Sequence, residues 1–374
     1  MPRKLVAILI FLMLTMVSAA NAATGPSMPP ATKDDTTSPR PANVNASATT
    51  KAVLSYFHTL SSRNNKRLII GQFGAYGDGT GADTAMKQIK KIYDRTGKWV
   101  ALTGMDYKLW DMHHKKDFSE PNKFLIDQWK QGSLVMVNWH AANPWTDGEA
   151  NDWQGADGKP RNVRELITPG TDVNRNWLEM LDDIATGLQE LQEAGAVVIW
   201  RPFHEMNGGW AWWQQQAKED FIALWQYMFR YFTDTKGLNN LLWAYAPNVN
   251  NNKWNKAANY FYPGADYVDL VGLDKYMGHG EDPLRLNDWH EYDDLVALNK
   301  PIGLMEFGPS PADGSGKDFK YDATRLLRDI RKNYPKIVFV QSWEWIWQLG
   351  DQDNIEKLLN DPWIVTRSDL PRWR

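Results

Sequence analysis

Eight short apolar runs, bounded by polar or glycine-containing turns, recur along this chain, and most are separated by stretches with helical spacing. They cover Leu68 to Gln72, Trp99 to Thr103, Leu134 to Trp139, Val197 to Arg201, Leu241 to Ala246, Val268 to Leu273, Ile302 to Glu306 and Val338 to Ser342. Three helices are legible between them. Trp177, Met180, Leu181, Ile184, Leu188 and Leu191 form one apolar stripe that Gly195 stops. Phe221, Leu224, Trp225, Met228 and Phe232 form a second stripe after the fourth run, and Ala323, Leu326, Leu327 and Ile330 form a third before Tyr334-Pro335. Strands alternating with helices imply parallel pairing, and eight such units close into a single (β/α)8 barrel of the TIM type, an α/β fold. A doubly wound open sheet would need a glycine-rich phosphate turn early in the chain, and Gly71-Gln72-Phe73-Gly74 matches the dinucleotide fingerprint too weakly.

The N-terminus reads differently. Arg3 and Lys4 precede an apolar run from Leu5 to Val17 and the small residues Ala20-Asn21-Ala22, so residues 1–22 are expected to be a cleavable signal peptide. The run is shorter than the roughly 20 residues a spanning helix needs. A secreted or periplasmic protein without a membrane span is the expectation. Residues 23–50, rich in Thr, Ser, Pro, Ala and Asn, read as a disordered linker. Residues 51–374 then form one catalytic domain. Zero cysteines exclude disulfides and thiolate metal sites, and a net charge of −3 without a block of like charges argues against a nucleic-acid partner. A monomer that uses no metal or other cofactor is expected.

There are 20 Trp against 14 Tyr and 13 Phe. Any one Trp is most simply core, but a barrel interior prefers Val, Ile and Leu. A surplus in polar company, as in Trp210-Ala211-Trp212-Trp213 and Trp343-Glu344-Trp345, predicts flat surfaces of the kind that stack on the apolar faces of sugar rings.

Reactive groups in such barrels lie at the C-terminal ends of the strands. There the third run ends in Asn138-Trp139-His140, the fourth in Arg201-Pro202-Phe203-His204-Glu205, the sixth in Asp274-Lys275-Tyr276, the seventh in Glu306-Phe307-Gly308 and the eighth in Trp343-Glu344-Trp345. Glycosidic cleavage needs one carboxylic acid to protonate the departing oxygen and one carboxylate to attack the anomeric carbon or activate water. Glu205 and Glu306 end strands that face each other across the barrel, which can bring the carboxyls to roughly 5 to 5.5 Å and predicts retention of configuration. Alone, either glutamate reads as a solvated rim residue, His204 as a core histidine and Arg201 as a structural ion-pair partner. Their coincidence at one mouth carries the reading. His113-His114, and the acidic residues Asp147, Glu149, Asp152 and Asp157, lack metal-site spacing and read as solvated loops. Asp313-Gly314-Ser315-Gly316 reads as a flexible turn.

With these residues the chain resembles glycoside hydrolase family 26, a family of (β/α)8 barrels with catalytic glutamates on strands four and seven. The matching words are Arg201-Pro202-Phe203-His204-Glu205-Met206-Asn207-Gly208 with Trp210 and Trp213, Trp139-His140 with Asn143-Pro144, Asp274 with Tyr276, and Glu306-Phe307-Gly308. The resemblance implies that Glu205 is the acid/base and Glu306 the nucleophile. By the same resemblance His204 hydrogen-bonds a sugar hydroxyl or orients a carboxylate, and Tyr276 bonds the nucleophile. His140 and Trp210 would line subsites, and Trp343 would be the eighth-strand sugar platform, with Trp345 as the alternative.

Physical chemistry favours the same division. Packing near Phe203 and the Trp cluster would desolvate Glu205 and keep its proton, while Arg201 could hold Glu306 charged across the barrel, with Asp274 as a supporting residue. The activity implied is an endo-β-1,4-mannanase. β-1,3-Xylanase or mixed-linkage β-glucanase action on the same scaffold, hydrolysis of a self-made exopolysaccharide, and non-catalytic sugar binding stand beside it. The loop from Trp145 to Pro169 is long enough to build or block distal subsites.

Overall fold

The computed structural model describes residues 39–75, 81–108, 117–146, 161–249, 256–311, 315 and 320–373. His113-His114 and the four acidic residues of the 147–157 stretch lie outside them, as do residues 1–22 and most of the expected linker. The elements run in the order α1 (Ala48–Leu60), β1 (Leu68–Ala75), α2 (Ala82–Thr96), β2 (Leu102–Asp106), α3 (Ser119–Lys130), β3 (Leu134–Trp139), α4 (Asp172–Glu193), β4 (Val198–Pro202), α5 (Lys218–Arg230), β5 (Leu241–Tyr245), β6 (Leu270–Tyr276), α6 (Glu291–Val296), β7 (Ile302–Gly308), α7 (Ala323–Asn333), β8 (Ile337–Ser342), α8 (Ile355–Asn360) and β9 (Ile364–Val365). Strands β1 to β8 pair in parallel in sequence order, and β1 pairs with both β8 and β2, so the sheet closes into the expected barrel.

Local chemistry starts and stops the helices where the patterns end. Thr171 accepts from Asn174 N at the start of α4, and Asp322 accepts from Thr324 N at the start of α7. Gly97 closes α2 in the left-handed conformation, φ +68°, which a glycine adopts without a Cβ clash. All six residues of the Trp177-to-Leu191 stripe are buried against the barrel. The second stripe runs past the end of α5: Phe232 lies in a π-turn, Tyr231–Thr235, and stays buried.

Three sequence expectations shift. The second strand begins at Leu102 rather than Trp99, because the C-terminal segment takes the preceding backbone: Arg367 N donates to Trp99 O at 3.0 Å and Val100 bridges Thr366. The strand therefore extends to Asp106. The short strand β9 was not read from sequence; it lies beside Leu68 and Ile69, ahead of the point where β1 begins pairing with β2 at Gly71. The boundary between linker and domain also moves toward the N-terminus. Asn43, Ala46 and Thr50 are buried, Ala42 N donates to Asp269 Oδ1 at 2.7 Å, and Ser47 N donates to Asn239 O at 2.8 Å, so the segment expected to be disordered up to residue 50 is built into the barrel from about Ala42. Its polar residues misled because they satisfy backbone groups at the barrel floor instead of water. Among the described residues no helix is long and apolar enough to cross a membrane.

Candidate active site

The C-terminal strand ends open into a cleft of about 1180 Å3 whose walls include His140, His204, Glu205, Trp210, Tyr276, Glu306 and Trp343. Every residue expected to touch a ligand is therefore at one mouth, with Arg201 and Asp274 fully buried beneath it.

Strand alternation selects which side chains meet. Asp274 and Tyr276, two apart on β6, point the same way, while Lys275 between them turns aside to pair with Glu281 at 3.1 Å. A register shift after Leu273 sets Asp274 opposite Glu306 on β7. From β4 the Arg201 guanidinium reaches both: Nη1 donates to Glu306 Oε1 at 2.8 Å and Nη2 donates to Asp274 Oδ2. Burial opposes the Arg201 charge, but Asp274 and Glu306 outweigh it and hold the group protonated above its ordinary range. Tyr276 donates its hydroxyl to the other Glu306 oxygen, Oε2, at 2.9 Å. Burial, then Glu306, push the phenol far above its ordinary range, so it stays a donor. Gly308 makes room for it, since a Cβ there would come within 2.2 Å of the Tyr276 ring. That is the physical reason for glycine in Glu306-Phe307-Gly308.

Glu205 sits on the opposite wall, in a sharp turn where both Phe203 (φ +48°) and Glu205 (φ +54°) take left-handed backbone conformations that L-residues rarely adopt. Glu205 N donates to Ala246 O at 2.7 Å, fixing the turn to the end of β5. Asn248 Nδ2 donates to Glu205 Oε1, and the Trp210 side chain also hydrogen-bonds the carboxyl. Burial, and next the charge of Glu306, push Glu205 up from 4.5 to about 8, against the pull of these bonds and of Arg201. Phe203, expected to pack near Glu205, has its ring among Trp177, Trp212, Trp213, Phe221 and Trp225.

One oxygen from each of Glu205, Asp274 and Glu306 lies within 4.8 Å of the others. Such a trio could hold a cation, and the Arg201 guanidinium already supplies the positive charge to two of the three. The arrangement suits a pair of carboxyls in different protonation states acting on one bond.

A second chain of bonds enters from β2. His140 Nδ1 lies 2.6 Å from Asp106 Oδ2, and His140 N donates to Asp106 Oδ1 at 3.0 Å. Although burial works against its charge, Asp106 is held below its ordinary range by His140 and by Lys108 N. An ionised Asp106 only accepts, so His140 Nδ1 carries a hydrogen and its Nε2 faces His204 Nε2 at 2.9 Å. Burial, then His140 and Arg201, push His204 well below 6.5 and keep it neutral. Among the described residues His204 bonds no carboxylate directly and reaches Asp106 through His140.

The tryptophans divide. Trp212 and Trp213 are buried and donate to Ala141 O (2.9 Å) and His204 O (2.8 Å), so they support the wall instead of forming a sugar surface. Trp210 is 40% exposed at the mouth. Trp343 stacks one face on Phe73 at 4.2 Å and lies 6.4 Å from His140 at 60° between ring planes, whereas Trp345 is 60% exposed at the cleft's rim. Asp106, Asn248 and Glu344 were missed from sequence. Asp106 was hidden by the misplaced second strand, Asn248 lies past the end of β5, and Glu344, though noted between two tryptophans, was not singled out as a cleft residue.

Comparison with known proteins agrees with this geometry. The chain matches the profile of glycosyl hydrolase family 26 over residues 42–369. It is 35% identical over 339 residues to mannan endo-1,4-beta-mannosidase A and B of Caldalkalibacillus mannanilyticus, a match covering 88% of this chain and 62% of that protein, so it spans less than two thirds of that relative. It is 33% identical to a mannan endo-1,4-beta-mannosidase of Bacillus subtilis over 88% of this chain and 89% of that one. The solved structure of Bacillus subtilis mannanase man26 superposes with a TM-score of 0.76 at 30% identity, covering 90% of this chain and 97% of the other. A closed parallel barrel, two carboxyls across one mouth and a family match over nearly all of the described chain converge: this chain belongs to glycosyl hydrolase family 26 and is a glycoside hydrolase.

Proposed function

We propose that the protein is an endo-acting β-1,4-mannanase that cleaves mannan, glucomannan or galactomannan with retention, and that it works outside the cytoplasm after loss of residues 1–22. The observation that carries the mechanism is the asymmetry of the two glutamates. Glu205 is raised to about 8 by burial and by Glu306, while Glu306 receives bonds from Arg201 and Tyr276. In the first step Glu306 attacks the anomeric carbon as the glycosidic C–O bond breaks, and Glu205 gives its proton to the departing oxygen. Bonding to the sugar removes the negative charge of Glu306, which lowers the Glu205 pKa and leaves it ready as a base. In the second step Glu205 takes a proton from water as the water oxygen attacks the same carbon, the bond to Glu306 breaks, and both carboxyls return to their starting states. The oxygens within 4.8 Å of one another support attack by Glu306 itself, because inversion needs roughly 6.5 to 9.5 Å for an intervening water.

The substrate reading is supported by the mannan-cleaving relatives, and endo action by a cleft of about 1180 Å3 with Trp210 and Trp345 exposed on its walls. Reducing-sugar release is expected from mannan, glucomannan and galactomannan, and little from β-1,3-xylan or barley β-glucan; no release from any mannan would refute the substrate. Proton NMR of the first products should show the β-anomer before mutarotation, and an initial α-anomer would refute retention.

A further inference from the structure

A second cleft, of about 870 Å3, opens at the other end of the barrel, where Trp99 precedes β2, Gln131 precedes β3 and the segment after β9 crosses both. Lys98, Lys130, Arg367 and Arg372 line it, and no carboxylate among the described residues does. Arg367 and Lys98 are half-buried, and Lys98 Nζ donates to Leu359 O at 3.0 Å. Arg367 Nε donates to Ser133 Oγ at 2.7 Å, Nη1 to Gln131 Oε1 at 2.8 Å and Nη2 to Gln128 Oε1, and its guanidinium carbon sits 4.9 Å from the centre of the Trp99 ring. All three acceptors are neutral. Arg95, Arg328 and Arg331 each meet a carboxylate, whereas no described carboxylate pairs with Arg367, and burial pushes its pKa down to about 10.

A guanidinium pinned by neutral oxygens keeps its charge uncompensated and spends no rotamer freedom when an anion arrives. Three of its five N–H groups are used, and the planar fork suits a carboxylate. The cleft is far larger than a small inorganic anion. Pro371, Leu370 and Trp373 add apolar surface beside the cations, which is what the body of a sugar ring requires.

We propose that this cleft is an accessory binding site for a carboxylate-bearing saccharide, the acid group resting on Arg367 and the flanking cations and the ring against Pro371 and Trp373. The site rests on its own geometry and not on the cleavage reaction. Its position at the N-terminal ends of the strands puts it across the barrel from the catalytic glutamates, so it would hold an acidic glycan while the mouth works on another chain.

The test is calorimetric titration in low-salt buffer with trigalacturonate, with mannotriose and inorganic phosphate as parallel probes. Trigalacturonate should bind the wild type more tightly than either control. The exposed pair Lys130→Glu and Arg372→Glu together should weaken it about tenfold, the combined effect of two rim charges, with hydrolysis of soluble mannan unchanged. Arg367→Gln, after its melting temperature is checked, should weaken it further. Equal binding by the charge-reversed protein, or equal affinity for mannotriose, overturns the site. Phosphate binding as tight as trigalacturonate overturns the saccharide assignment. Because binding is read directly, loss of the proposed mannanase activity would leave this result standing.

Discussion

Glu205 keeps a proton that a solvent-exposed glutamate would give up, and the reasons are local: burial first, then a second carboxylate close by. The first step of the proposed mechanism needs that proton, so kcat/KM should fall as pH rises through about 8, and an alkaline limb that stays flat to pH 9 would refute the assignment. Glu306→Gln removes the neighbouring charge, so carbon NMR titration of Glu205 in that variant should give a lower pKa than in the wild type. A raised folded-state pKa also has a sign for stability. Between 4.5 and about 8 the folded protein binds this proton more tightly than the unfolded chain does, so this group's contribution to stability falls as pH rises through that window. Glu205→Gln should therefore melt higher than wild type at pH 8, by at least about 2 °C, with the gap closing near pH 4.5, while kcat/KM drops by about 10²- to 10⁴-fold. A variant that melts lower at pH 8 would show that ionisation of Glu205 costs the fold nothing. Such a trade of stability for reactivity also fits the left-handed backbone at Phe203 and Glu205.

At the scale of elements, the strand ends set distances that no single residue controls. The register shift in β6 puts Asp274 opposite Glu306, and Gly308 lets the Tyr276 ring lie across the end of β7. Gly308→Ala should push that ring off Glu306, lower kcat by about tenfold or more, and lower the melting temperature by a few degrees through the overpacking of about 1 to 3 kcal/mol. Wild-type kcat in this variant would mean that Tyr276 does not position the nucleophile. The link from β2 to β4 through Asp106, His140 and His204 behaves similarly, because Asp106 fixes which nitrogen of His140 carries the hydrogen. Asp106→Asn should lower kcat/KM about 10- to 100-fold, the usual scale for losing an orienting partner, and His140→Ala in that background should cost little more. Full additivity of the two changes would break the chain into separate parts.

For the whole molecule, the N-terminal segment and β9 close the barrel floor, at the end opposite the mouth that Glu205 and Glu306 line. A chain beginning at residue 39 should melt like the full-length protein, whereas one beginning at residue 51 loses the bonds from Ala42, Asn43 and Ser47 and the burial of Ala46 and Thr50. Three or four such bonds amount to about 3 kcal/mol, or roughly 4 °C in melting temperature for a domain of this size, which circular dichroism would measure. Equal melting of both truncations would restore the longer linker. The sequence by itself determined what short-range periodicity can carry: eight strands, the helix stripes ending at Gly195 and Tyr334, and the polar words at five strand ends, with Glu205 and Glu306 among them. Apolar spacing is a local property, so it survives reading one residue after another. Only the tertiary structure decided that Arg201 serves Asp274 and Glu306 at once, 73 and 105 residues away, that Asp106 stands behind His140, and that Arg367 meets no carboxylate among the described residues. Those are facts of charge meeting charge in a low-dielectric interior. They depend on distances set by closure of the barrel, which no stretch of chain encodes alone.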